Sequence, residues 1–408
     1  MLNIIFASFF ILSFISVVFQ AIFYGDFDVI NKVSTTILTS SKDSFYIALN
    51  LTGMLCFWLG ILKIGQEAGI TQAVAKLLQP LFLKIMPEVP KGHKSLSSIV
   101  MNIAANILGL DNAATPMGIK AMEQLQEINK KKDEASNAQI LFIVTNSAAV
   151  TLIPISILLY RQTLGASNPM AVFLPILLAT SVSSLVGFLA VAYKQRLNIF
   201  NRVVGAYLGG YFVFIALLVF AFYSMNAEQK IVFSSIIGNG VLLLLITSFI
   251  LYGLLKRQNV YENFISGAKE GFDVAIKIIP YLVALLVAIA VFRASGVLDF
   301  VCLGFEKFFV MLGVNTDFVP ALPTALLKPL SGSGARAAMI ETMQAYGANS
   351  FPAFVSTVVQ GSTETTFYVI ALYFGAIKIV KTRYALSCAL LADLAGIIAA
   401  ISLSYLFY

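Results

Sequence analysis

Apolar residues fall in blocks of about 20 along almost the whole chain, separated by short polar loops. A helix of that length crosses about 30 Å of hydrocarbon. The blocks predict spans at roughly 2–24, 45–63, 139–160, 170–193, 203–224, 231–255, 273–292, 351–374 and 385–407. Small residues recur through them, as membrane helices accept at their contacts, and the period-two alternation of an outer-membrane barrel is missing. The pattern predicts an all-α polytopic membrane protein. The first block lacks a basic leader and a small-residue cleavage pattern, so it is expected to be a retained span rather than a signal peptide.

Two long segments depart from this pattern. Residues 64–138 and 293–350 are amphipathic and interrupted by Pro and Gly. Each holds a short apolar piece, 96–110 and 318–330, then a polar tip of small residues and a second helix. This is the pattern of a re-entrant helical hairpin, which membrane depth allows only where protein or a cavity covers it. The segments also match each other. Glu67-Ala68-Gly69-Ile70 echoes Ala294-Ser295-Gly296-Val297, Gly109-Leu110-Asp111-Asn112 stands where Pro329-Leu330-Ser331-Gly332 stands, and Thr145-Asn146-Ser147 where Gly361-Ser362-Thr363 stands. The separations are 227, about 220 and about 216 residues. Three landmarks in order at a nearly constant offset indicate a duplication.

Charge orients the copies. Hydrophobic residues make up 59 % of the chain and charged residues 12 %, with a net charge of +7, and the mean hydropathy is +0.88. The basic residues gather in short loops, at Lys130–Lys132, Lys194/Arg196/Arg202, Lys256/Arg257 and Lys378/Lys381/Arg383. That is the positive-inside distribution, not a nucleic-acid footprint. Placing these clusters in the cytoplasm sends 139–160 outward and 351–374 inward, so the two copies form inverted repeats, a recurrent transporter architecture. The expected division is 1–200 for the first half, 201–258 for connecting helices and 259–408 for the second half. Cys56, Cys302, Cys388 and the single His93 have no metal-ligand spacing, so no metal or other cofactor is expected beyond Na⁺ or H⁺ as a coupling ion.

Polar side chains collect where apolar ones would be cheaper. Asn102, Asn106, Asp111, Asn112 and Thr115 surround the first tip; Ser331, Ser333 and Arg336, with Lys328, surround the second. Asn146 and Ser147 lie in one span, and Ser362, Thr363, Glu364 and Thr365 in its counterpart. Amides and hydroxyls offer donors and acceptors together, which suits an uncharged polar solute or Na⁺, while Arg336 favours a carboxylate or phosphate. Glu364 stands out, since an ionised acid at mid-span costs about 3 kcal/mol on insertion scales. Two roles fit it: a substrate- or proton-coupling acid, or half of a structural ion pair with Arg336 or Lys328. Asp393 and Asp111 are further ion-coupling candidates, although helix packing explains Asp393 equally well. Asn102 and Asn106, four residues apart on one helix face, also suit interhelical hydrogen bonding.

These motifs resemble a known family. Residues 1–200, with Met101-Asn102-Ile103-Ala104-Ala105-Asn106, Asn112-Ala113-Ala114-Thr115-Pro116 and Thr151-Leu152-Ile153-Pro154, are similar to spore maturation protein A. Residues 260–408, with Pro329-Leu330-Ser331-Gly332-Ser333-Gly334, Gly361-Ser362-Thr363-Glu364-Thr365-Thr366 and Leu391-Ala392-Asp393, are similar to spore maturation protein B. Both belong to the nucleoside recognition, or gate, superfamily. The resemblance implies a multi-pass protein of the bacterial inner membrane with a transporter-like fold. By analogy with nucleoside carriers, the tips and the polar clusters would line a solute cavity with a Na⁺ site alongside. Similar folds also assemble through a scaffold interface, so a homo-oligomer in the lipid bilayer is expected.

Three functions follow as expectations. The first is a secondary transporter of a small polar or anionic solute, nucleoside-like or carboxylate. The second is a non-transporting membrane component that recruits or gates a partner complex. The third, an intramembrane hydrolase using Ser331 or Ser333 with Lys328, is disfavoured because enzyme signatures are absent: GSGAR has neither the strand nor the Lys-Ser/Thr pair of a nucleotide loop.

Overall fold

Helix dominates the computed structural model, and no strand is present among the described residues. The backbone is described for residues 2–108, 111–152, 154–223 and 225–408, and the side chains of these except Leu2, Asp111, Asn112, Ala113, Val219, Phe222, Tyr223 and Ala227. In chain order the helices are α1 (Leu2–Phe19), α2 (Asp28–Ala68), α3 (Ile70–Ile85), α4 (Lys94–Ile107), α5 (Asp111–Ile128), α6 (Asn137–Ser147), α7 (Ile155–Thr163), α8 (Phe173–Gln195) and α9 (Arg202–Tyr223). They continue as α10 (Ala227–Leu255), α11 (Val260–Ala294), α12 (Val297–Met311), α13 (Leu322–Leu327), α14 (Gly332–Tyr346), α15 (Phe351–Ser362), α16 (Thr366–Ala376) and α17 (Ala385–Phe407).

Among the described residues, six stretches are long and apolar enough to cross a membrane: 3–24, 28–68, 169–195, 228–255, 260–294 and 385–407. The protein is a polytopic helical membrane protein. Only 17 % of the apolar window in α10 is buried, so Leu243, Leu244 and Leu251 face outward, as on a lipid-facing helix. Helices α2 and α11 run 41 and 35 residues, well beyond the predicted 45–63 and 273–292. Hydropathy marks only the part suited to hydrocarbon, whereas the backbone ladder continues through the polar residues before it.

The predicted spans 139–160 and 351–374 are corrected: each is two helices, not one. The first is α6 and α7 with 148–154 between them; the second is α15 and α16 with 363–365 between them. Pro154 lacks an N–H and disfavours helix in the residue before it. In the second break, the N–H of Glu364 leaves the helix ladder and donates to the Ser147 carbonyl instead. The repeat is visible in the order of elements, since α2–α8 and α11–α17 each run as a long helix, an amphipathic helix, a hairpin, a broken helix and a closing helix. Gly69 before α3 and Gly296 before α12 both hold φ in the left-handed region, at 92° and 76°. Glycine alone takes that conformation without strain.

The chain forms two compact units, each drawing on both halves of the sequence. Unit 1 holds 1–60, 156–169 and 265–360. Here Ser16 and Gln20 donate to the carbonyl of Ser295 at 2.8 and 2.9 Å, and Gly271 lies against the backbone of Leu55 and Cys56, where a Cβ would clash. Arg293 on α11 forms a two-pronged ion pair with Glu341 on α14 and also donates to Tyr346 at 3.0 Å. Thr324 and Ser356 share a hydrogen bond at 2.7 Å.

Unit 2 holds 61–155, 170–264 and 361–408. Its centre is α6, whose Ile140, Leu141, Phe142 and Ile143 are wholly buried. Ser136 and Gln139 close the start of α6 with a reciprocal cap. Helices α8 and α17 pack through small residues: Ser183 and Gly187 meet Ala392 and Gly396, and a Cβ at Gly396 would fall 2.7 Å from the Thr363 methyl. Close backbone approach through small residues is how membrane helices gain packing energy without a hydrophobic drive. In the loops, Lys381 pairs with Asp133 at 3.0 Å, and the Lys381 carbonyl accepts from Ala135 at 3.0 Å.

Candidate functional site

A broken helix leaves carbonyls open at the end of its first piece and N–H groups open at the start of its second. Within unit 2 the two breaks meet. The N–H of Glu364 donates to the carbonyl of Ser147 at 2.9 Å, and the N–H of Leu152 donates to the carbonyl of Ile107, the last residue of α4, at 3.0 Å. Three chain segments distant in sequence are thus fastened by main-chain bonds beside exposed helix ends. The start of α16 contributes positive potential there, and the ends of α4 and α6 contribute negative potential.

Amides and hydroxyls fill the space. Asn106 donates to Asn146 at 2.9 Å, and Asn146 donates to the Phe142 carbonyl at 2.9 Å. Asn102, fully buried, donates to the Ala114 carbonyl at 2.8 Å and to the Tyr373 hydroxyl at 3.4 Å. Its Oδ1 has no hydrogen-bond partner among the described residues. The same is true of the hydroxyls of Thr363 and Thr366, at 4 % and 0 % exposure. Buried polar atoms are rarely left unpaired, so the two hydroxyls at the second break mark a place built to receive something. Ser183 donates to the Ala392 carbonyl at 3.0 Å, and Ser184 donates to the carbonyl of Ala148 in the first break.

Of the residues predicted from sequence, Asn102, Asn106, Asn146, Ser147, Ser362, Thr363, Glu364 and Thr365 all belong to this unit. Thr115 follows Ala114 on α5 and is half-buried. Asp393 is buried on α17, one turn before Gly396. The side chains of Asp111 and Asn112 lie outside the described residues. Ser331, Ser333 and Arg336 belong to unit 1, where Ser331 caps α14 by accepting from the Gly334 N–H at 3.0 Å. Glu364 and the residues expected to pair with it, Arg336 and Lys328, belong to different units. Glu364 is exposed, with no ion pair among the described residues; Arg336 lies 5.8 Å from the centre of the Tyr160 ring.

Tyr373 was not predicted. Its hydroxyl meets Asn102, and its ring lies against Gly118, which has no Cβ to obstruct it. A lone tyrosine in an apolar span carries little signal. Lys277, a cation in a predicted span, carried the same signal as Glu364 and was passed over.

An all-helical, multi-pass membrane protein with two interrupted helices meeting at a polar centre is the class defined by this geometry. The family described as nucleoside recognition matches residues 48–167 and 275–380, more than half of the chain. The protein belongs to that nucleoside recognition, or Gate, family. Among curated proteins, it is 44 % identical over 158 residues to spore maturation protein B of Bacillus subtilis (strain 168), covering 39 % of this chain and 87 % of the relative. It is 34 % identical over 156 residues to spore maturation protein A of the same organism, covering 38 % of this chain and 80 % of the relative. No solved structure matches.

Proposed function

We propose that this protein is a secondary-transporter-like protein of the bacterial inner membrane, binding a small polar or anionic solute, nucleoside-like or carboxylate, where its two inverted repeats contribute to one site. The hairpins are re-entrant in this reading, and Na⁺ or H⁺ is the coupling ion. The observation that carries it is the meeting of the two breaks, with the Glu364 N–H on the Ser147 carbonyl and the buried hydroxyls of Thr363 and Thr366 unpaired beside it. Discontinuous helices from two repeats, opening backbone groups toward a common centre, are how many transporters hold solute and ion. The family's description as nucleoside recognition supports a nucleoside-like solute.

The test is thermal unfolding of the purified protein against nucleosides and small carboxylates, with and without Na⁺. A ligand at 100 times its dissociation constant adds about 2.7 kcal/mol. Thr363→Val and Thr366→Val remove hydroxyls without a hydrogen-bond partner among the described residues, so both variants are expected to fold like wild type and lose the ligand's effect. Unchanged ligand response in both would remove the break site from consideration.

The relatives' names supply a second reading. Spore maturation names a process and no solute, which suits a membrane component that recruits or gates a partner complex. That reading expects a co-purifying protein and no ligand effect on unfolding.

A further inference from the structure

Unit 1 contains a second polar feature, independent of the break site. A cavity of about 260 Å³ opens between α11 and α14, lined by Val274, Lys277, Ile278, Tyr281, Ser333 and Arg336 among others. Among the described residues, two cationic side chains line it and no acidic one does. Neither Lys277 nor Arg336 has a carboxylate in ion-pair range among the described residues. Asp273, one turn before Lys277 on the same helix, makes no ion pair with it, and Glu341, farther along α14, is already held by Arg293. The stacking of Arg336 on the buried Tyr160 ring fixes the guanidinium without neutralising it.

The contrast within the same unit is informative. Arg293 is surrounded by Glu341, Asp299 and Tyr346, as a cation in an apolar span requires. Arg336, half-buried on α14, and Lys277, exposed on α11, line one cavity with no such acidic partner among the described residues, and two unneutralised cations beside one cavity favour an anion between them. The start of α14, capped by Ser331, adds positive potential from the same side.

We propose that this cavity is an anion site. A phosphate or carboxylate group docks between the planar fork of Arg336, suited to two-pronged contact, and the ammonium of Lys277, with the Ser333 hydroxyl donating to a third oxygen. The apolar remainder of the ligand lies along Val274, Ile278 and Tyr281. A phospholipid phosphate and a free small anion share this chemistry. The site stands whether or not the breaks in unit 2 bind a solute.

The experiment uses the full-length, delipidated protein in detergent, titrated with inorganic phosphate, succinate, phosphatidylglycerol and, as a zwitterionic control, phosphatidylcholine. Thermal unfolding and native mass spectrometry report binding. At least one anionic probe is expected to stabilise wild type saturably. Arg336→Gln and Lys277→Gln are each expected to weaken it by about tenfold or more, the size of one charge-assisted hydrogen bond. Arg336→Lys, which keeps the charge and loses the fork, is expected to fall between. A response to phosphatidylglycerol alone assigns the site to a lipid headgroup, and a response to phosphate or succinate assigns it to a free anion. The proposal is overturned if no anionic probe acts on wild type, or if the variants respond as wild type does. Asp133→Asn, at the exposed loop pair of unit 2, is expected to respond like wild type; a loss there as large as in Arg336→Gln would make the loss in Arg336→Gln unspecific and overturn the proposal equally.

Discussion

The two hairpins hold matching places in the repeat, yet they are built from different chemistry. The first, α4 and α5, pairs helices of 14 and 18 residues through neutral groups: Ser98 on Gln124 at 2.8 Å and Asn102 on the Ala114 carbonyl at 2.8 Å, with Lys94 and Glu127 at the exposed end. The second, α13 and α14, has a first arm of only 6 residues and turns at a serine cap. Its longer arm carries Arg336 and the buried Glu341, clamped by Arg293. Neutral bonds between membrane helices are weak one by one and fail gradually. A buried ion pair is different, because losing one partner strands the other charge in a poor solvent. The first hairpin therefore spreads its attachment over several contacts, whereas the second concentrates it.

The comparison breaks first at the charge pair. Glu341→Ala is expected to destabilise by about 3–5 kcal/mol, the cost of an abandoned buried charge, read as a large drop in unfolding temperature. Replacing both partners, as Arg293→Met with Glu341→Leu, is expected to recover most of that loss. If the single and double variants lose equally, Glu341 acts by shape rather than charge. In the first hairpin, Asn102→Ala is expected to cost less, about 1–2 kcal/mol, because one neutral bond is lost and the Ala114 carbonyl is left open. A drop as large as that of Glu341→Ala would erase the contrast between the hairpins.

The smallest effect belongs to the exposed pair in the loops. The hydrogen bond and charge of Lys381 hold the Asp133 carboxyl below its ordinary 3.8, and Asp133 raises Lys381 above 10.5 in return. The carboxylate's contribution is present above 3.8 and lost as pH falls through its lowered value. The ammonium's is present below 10.5 and lost as pH rises through its raised value. Asp133→Asn is expected to lessen the small losses of stability below pH 3.8 and above pH 10.5 and to leave the interval between them flat, and 1 M salt is expected to mask the difference from wild type. A strong pH dependence that survives the substitution would assign it elsewhere.

The duplication was legible because Gly69 and Gly296 must both be glycine, and a required residue at a fixed offset survives when its surroundings do not. The clustering of Asn102, Asn106, Asn146, Ser147 and Thr363 was legible for the cost reason: polar groups in apolar blocks need partners. The breaks were not. Residues 148–154 keep an apolar average, so a sliding window bridges them, and only Pro154 marks the stop. The main-chain bond of Glu364 to Ser147 was not legible either, because periodicity says which residues share a helix face and nothing about which faces meet. Arg336 settled on Tyr160, an aromatic partner that charge arithmetic does not count.

The bond from Glu364 to Ser147 also sets a timetable. Its acceptor emerges from the ribosome more than two hundred residues before its donor, which is roughly 10–40 s at 5–20 residues per second. Throughout that interval the carbonyl of Ser147 sits in a nascent chain whose fastening does not yet exist, and lipid offers no substitute. The first broken helix therefore completes its architecture only when the second copy arrives, making the order of synthesis part of how the centre is assembled.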